Sequence, residues 1–363
     1  MSVPLLALTT TSASAQGAWL KVPDLPTARF ALAGASAPCP KDVEGLKGTC
    51  VYAIGGRNDA SPSLGTVQAY SPATNTWRTL PDLPTPRSAV AGATAPCPED
   101  VEGLEGTCVY AVGGRTTDAV DAVEAYSPAT NTWRKLPGLP TARRFAAAAT
   151  APCPQGVEGL RGLCVYAVGG SFSTTVEAYS PATNTWRALP PLSISRDAPG
   201  AAAAPCPQGV EGLRGLCVYA VGGFDLGSGS VLDTAEAYSP ATNTWRPVAS
   251  LGSPRVALAA SAAPCQTTDT RHPKKSCVYA VAGFNFTALT LKTAEVFSPA
   301  ANSWKPLPEL STARFELASA TAPCPRSTRS PKHTCVYAIA GAGLTPDEER
   351  TALSSVEAFP VTG

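Results

Sequence analysis

Short apolar runs, small-residue runs and alternating runs follow one another along the chain at intervals too brief for long helices. The apolar run CVYAI at 50–54 is closed by Gly55-Gly56. A small, Ala-rich stretch at 30–38 precedes it, and shorter half-apolar segments follow near 66–70 and, around Trp77, near 76–80. Gly and Pro punctuate every junction, which predicts four short strands, here called a, b, c and d. No segment sustains a 3.6-residue period.

The same unit then recurs. YSPATNTWR stands at 70–78, 126–134, 179–187 and 238–246, with a degenerate copy at 297–305. The six Trp, at 19, 77, 133, 186, 245 and 304, are spaced by 58, 56, 53, 59 and 59 residues. Four-stranded units repeated in this way predict an all-β fold, a six-bladed β-propeller. Tyr52, Ile54, Tyr70 and Trp77 are expected to fill the spaces between blades, and the small strand a to line the crowded axis. The ends fit closure: Trp19 has Ser12 seven positions earlier, and Phe359 has no Trp seven positions later. Residues 17–22 are therefore expected to supply strand d of the last blade, sealing the ring.

The double Gly after an apolar strand, then Tyr, then Trp seven positions on (Gly55, Gly56, Tyr70, Trp77; Gly113, Gly114, Tyr126, Trp133) resembles the kelch repeat. An Arg opens the following unit, as is common in kelch repeats. The departures are Phe297 and Phe359 at the Tyr position and Ala282 and Ala340 at the first Gly. The resemblance implies a propeller that binds partners through its loops. Some kelch-like propellers are enzymes: the copper-radical oxidases need two His and two Tyr, and sialic-acid mutarotases use carboxylate and Arg groups near the channel. The only His, His272 and His333, lie between strands a and b, so the oxidase reading fails. The mutarotase-like, sugar-active enzyme stays as the alternative.

Twelve Cys form six regular pairs: Cys39/Cys50, Cys97/Cys108, Cys153/Cys164, Cys206/Cys217, Cys265/Cys277 and Cys324/Cys335. Each pair ends strand a and begins strand b, which predicts one disulfide across each hairpin. Free thiols and zinc are the competing readings, and no closely spaced pair of zinc-finger type supports the latter. Disulfides imply an oxidising, extracytoplasmic compartment. The apolar residues 3–8 and the Ala13-Ser14-Ala15 site before Gln16 fit a partial signal peptide without a basic leader, a Thr/Ser-rich tail being the alternative. The expected division is 1–16 as signal or tail and 17–363 as one propeller.

Composition narrows the function. With 28 basic and 27 acidic residues the net charge is +1, which argues against nucleic acid as a partner. No apolar run reaches the ~20 residues of a membrane span. No phosphate-binding loop, serine-hydrolase elbow or zinc-protease motif is present. No cofactor or metal is expected, and a monomer is.

Antiparallel strand order puts the b–c loops and the d–a junctions on one face, and the disulfides with the c–d turns on the other. The first face carries Arg29, Arg87, Arg143, Arg196, Arg255 and Arg314 at equivalent d–a positions. Blades three to five add Phe172, Phe224, Phe284 and Phe286 in their b–c loops. A protein or carbohydrate site is expected there, with Arg143, Arg196 and Arg255 as floor and the four Phe as walls. The competing readings are that each Arg hydrogen-bonds to its own loop and that the Phe tuck under theirs. On the other face, Arg271, His272, Lys274, Lys275, Arg326, Arg329, Lys332 and His333 make a second, basic candidate surface.

Overall fold

The computed structural model describes residues 17–266, 276–326 and 333–361. They contain strands and turns only, in six four-stranded antiparallel sheets and two small hairpins. In blade one the strands are a, Ala33–Pro38; b, Thr49–Ile54; c, Val67–Ser71; and d, Thr76–Leu80. Register within the blade is regular: Ala35 faces Tyr52, Tyr52 faces Ala69, and Tyr70 faces Trp77. Blades two to five repeat this arrangement. In blade six the order is Ala318–Pro323, Thr334–Leu344, Arg350–Val361 and, on the outer edge, Leu20–Val22 from the other end of the chain. Leu20 pairs with Ala358 and Val22 with Val356, so the N-terminal strand closes the ring.

The apolar core lies between blades. Tyr52, Ile54 and Val67 of blade one pack against Val109, Ala111, Tyr126 and Trp133 of blade two. Each Trp stacks on the Tyr or Phe of its own strand c at 5.2–5.3 Å. Its indole N–H donates to a carbonyl of the preceding blade, as from Trp77 to Pro23 at 2.9 Å. At the axis the inner strands nearly touch: a Cβ on Gly34 would lie 2.6 Å from the Ser319 carbonyl oxygen. That crowding explains the small residues of strand a.

All six predicted disulfides are present, Cys39–Cys50, Cys97–Cys108, Cys153–Cys164, Cys206–Cys217, Cys265–Cys277 and Cys324–Cys335, with Cα atoms 4.8–4.9 Å apart. The pairing is as expected. The strand-b member of each bridge, Cys50, Cys108, Cys164, Cys217, Cys277 or Cys335, is buried at 0–2% exposure. Each packs into one of the apolar clusters between blades. Bridged there, these six brace the core at the base of each hairpin. The bridges share a face with the c–d turns, since Thr74 of a turn donates to Gly45 of the Cys39–Cys50 loop at 2.6 Å. Met1 to Gln16, with the expected signal or tail, and the basic Arg271, His272, Lys274, Lys275, Arg329 and Lys332 lie outside the described residues.

Candidate functional site

The double Gly builds the other face. Gly55 has φ +58 and Gly56 φ +102. Ala282 and Ala340 take the first position at φ 57 and 54, a left-handed conformation that Ala tolerates at modest cost. The second position stays glycine in all six blades, because φ near +100 lies outside the range open to a Cβ. The b–c loop that follows pairs with the d–a junction through isolated bridges: Phe30 with Arg57, Ser88 with Arg115, Asp197 with Phe224, Val256 with Phe284, and Phe315 with Ala342.

The six d–a arginines hold this loop system from beneath. All are buried, at 0–1% exposure. Arg314 donates to the carbonyls of Ala340 and Ser355 at 3.0 and 2.7 Å and to Glu357 at 2.7 Å. Arg196 and Arg255 do the same with Glu236 and Glu295 at 3.0 and 2.6 Å, and Arg87 and Arg143 pair with Glu124 and Glu177. Arg29 instead meets the neutral Gln68 at 2.7 Å. The expected ligand floor of Arg143, Arg196 and Arg255, with Arg29, Arg87 and Arg314 around it, is therefore corrected. Their donors face carbonyls and carboxylates within their own blades, which is what buried guanidinium groups require. Burial lowers the pKa of each, Arg29 to about 10.

The phenylalanines come together. Phe172, Phe224, Phe286, Phe284 and Phe315 follow one another edge to face or tilted, with centroids 6.3, 6.3, 5.7 and 5.7 Å apart. Phe286 is 68% exposed and Phe172 38%. Two short hairpins, Phe224–Asp225 with Ser230–Val231 and Phe284–Asn285 with Leu289–Thr290, carry the middle of the arc. Asp225 braces the first by accepting from Ser195 Oγ and from Ser228 N. The aromatic series continues past Phe315: Arg350 lies over Phe315 and Phe30 at 4.9 and 5.4 Å, and Arg57 over Phe30 at 4.9 Å.

Inside this arc the channel mouth is closed down by backbone. Ala31, Ala89, Phe145, Ala198, Ala257 and Glu316 all have φ between 47 and 53. Each donates its N–H to the carbonyl of its neighbour in the adjacent blade, at 2.8–3.1 Å, and the sixth bond closes the circle. Only Phe145 and Glu316 project large side chains from this ring. Glu316 accepts from Arg350 at 3.0 Å. Burial raises its pKa, against the opposing pull of Arg350, Arg57 and Arg115. Asp197 is likewise raised by burial, with the Phe172 N–H and Arg144 opposing. A cleft of about 440 Å³ opens beside Glu316, lined among others by Phe145, Asp197, Phe284, Phe315, Glu348 and Arg350. Among the described residues, no three His, Cys, Asp or Glu converge as metal ligands.

Glu316, Phe145, Asp197 and Phe315 were not expected as site residues. Their signal is a break in the repeat: the three residues from each d–a Arg read RFA, RSA, RRF, RDA, RVA and RFE.

The Kelch motif is matched at residues 47–84, 106–140, 162–193, 215–252 and 275–311. Together with the blade architecture this places the chain in the kelch-repeat family of β-propellers. Kelch-like protein 23 of Homo sapiens is 28% identical over 57% of this chain and 32% of its own length. Kelch-like protein terF of Aspergillus terreus is 24% identical over 66% of this chain and 50% of its own. Kelch-like protein 36 of Mus musculus is 26% identical over 54% and 29%. The chain thus spans from under a third to half of the lengths of these relatives. No helix among the described residues is long and apolar enough to cross a membrane.

Proposed function

We propose that the chain is a non-catalytic docking module that holds a protein partner against the b–c/d–a face, with the phenylalanine arc of blades three to five as its anchor. The observation that carries this reading is the exposure of Phe172 and Phe286 within a contiguous aromatic series on a rigid scaffold. Aromatic side chains are the usual energetic anchors of protein interfaces. A sixfold scaffold has no packing reason to place them in three adjacent loops only. The six disulfides support an extracytoplasmic site of action.

The test uses the purified protein as bait for proteins from its source, beside a glycan array, with a Phe172→Ala, Phe286→Ala variant in parallel. Exposed anchors cost ~2 kcal/mol each on truncation, so the double variant should lose partner affinity by a factor of the order of a hundred or more while its melting temperature stays within a few degrees. Binding to glycans without protein capture would replace the protein partner with a carbohydrate or a sugar substrate. Capture that survives the double variant would move the docking surface elsewhere.

A further inference from the structure

At the channel mouth one position of the sixfold ring carries a charge where four others carry Ala. The Glu316 side chain is only 8% exposed. Its Oε1 accepts from Arg350, and its Oε2 is buried with no hydrogen-bond partner. A buried carboxylate oxygen without a donor is costly, and such atoms in native structures call for a ligand, a water or an ion to complete them. Arg350 shows what geometry this place accepts. Its guanidinium is held by a carboxylate on one side and by the rings of Phe315 and Phe30 at 4.9 and 5.4 Å. That is a cation–π arrangement. Arg350 reaches it from the long hairpin of blade six, where it pairs with Leu344, and its own side chain remains 41% exposed.

The cleft beside it is not filled by Arg350. It is lined by three carboxylates, Asp197, Glu316 and Glu348, against one cation, and by the apolar walls of Phe145, Phe284 and Phe315. An anionic group entering here meets three like charges. A cationic group meets an unpaired carboxylate oxygen and aromatic rings. Arg57 and Arg115 act on Glu316 from blades one and two, and Arg144 acts on Asp197, but none of the three lines the cleft.

We propose that this cleft takes one guanidinium or ammonium side chain of a partner segment, and that Arg350 occupies part of the same position in the free protein. The inference rests on the docking face argued above and adds the chemistry it selects: a basic residue seated at the axis, next to the phenylalanine arc. Arg350 then acts as an internal competitor, and a partner's basic side chain either displaces it from Oε1 or takes Oε2 beside it.

The test is calorimetric titration of the whole chain with acetyl-Gly-Arg-Gly-amide, with the neutral isostere in which citrulline replaces Arg, and with acetyl-Gly-Glu-Gly-amide. The Arg peptide should bind at least tenfold more tightly than the citrulline peptide, and the Glu peptide should not bind. Arg350→Ala should tighten the Arg peptide by about tenfold, and Glu316→Gln should weaken it by at least as much. Should Glu316→Gln fail to fold, the peptide comparison on the wild type and the Arg350→Ala shift still decide. Equal binding of the Arg and citrulline peptides, preference for the Glu peptide, or weaker binding after Arg350→Ala each overturns the proposal. Phe172 and Phe286 do not line the cleft, so an intact Arg preference in their double variant, with partner capture unchanged, supports the site while sinking the arc as anchor. Loss of capture in that variant, with no Arg preference in the wild type, does the reverse.

Discussion

Arg29 differs from its five equivalents in what it faces. Arg87, Arg143, Arg196, Arg255 and Arg314 each meet a buried Glu of strand c, whereas Arg29 meets Gln68. Its charge is therefore buried without a counter-charge, and its pKa falls to about 10 through desolvation. Blades two and three show the completed arrangement, in which Thr85 and Thr141 donate to the same Glu that the Arg holds, at 2.7 and 2.9 Å. Thr27 stands ready in blade one, already 3.3 Å from Gln68. Gln68→Glu should thus stabilise the protein by ~1–2 kcal/mol, the scale of a hydrogen bond gaining a charge. The reverse change, Glu177→Gln, should destabilise by a similar amount or more. Chemical denaturation of both variants checks the pair, and a loss of stability in Gln68→Glu would contradict the account. The Arg series was plain in the sequence, but its role was not. The Glu of strand c repeats almost as faithfully as the Arg, and only the fold shows that the two meet inside one blade.

At the scale of the strand, legibility was high wherever a repeat carried the information. The a–b hairpins, the Tyr–Trp pairs and the loop glycines followed from six imperfect copies of one unit. Strand a proved shorter than expected, starting at Ala33 rather than near Phe30, because residues 30–32 turn through the positive-φ ring position at Ala31. That ring was invisible in the sequence, since Ala at four of its six positions gives no hint of a left-handed backbone. Glu316 could be seen as an oddity but not as a channel residue for the same reason. The hairpins also carry the most direct chemical prediction. Intact-mass measurement of the untreated protein should read lighter by twelve hydrogens than the reduced form, one pair for each of the six bridges. Each bridge closes a loop worth ~2–3 kcal/mol, so full reduction should lower the melting temperature steeply. Twelve readily alkylated thiols in the folded protein would contradict both the bridges and the extracytoplasmic reading.

For the molecule as a whole, the decisive contact is between its ends. Blade six owns three strands from the C-terminal unit and borrows the fourth, so the ring is continuous in space but joined through only three paired residues. Around that join, Trp19 lies 5.3 Å from Phe359 and donates to Pro308 at 2.9 Å, while Val22 and Leu25 enter the core between blades six and one. The next backbone bonds run from Leu25 to Ser354 and from Arg29 to Leu353. Removing residues 17–24 would strip a Trp from the last interblade core and leave the Arg350–Val361 strand as a long open edge. Losing the half-buried Trp19 together with its paired strand should cost ~3 kcal/mol or more, so the truncated protein should melt ~5 °C or more below the parent. Trp19→Ala should fall between the two, because Trp19 is only half-buried and the strand itself remains. The open edge should also promote pairing between chains, visible as concentration-dependent oligomers in size-exclusion chromatography. If the truncated protein melts with the parent and stays in the same oligomeric state, the borrowed strand does not seal the ring.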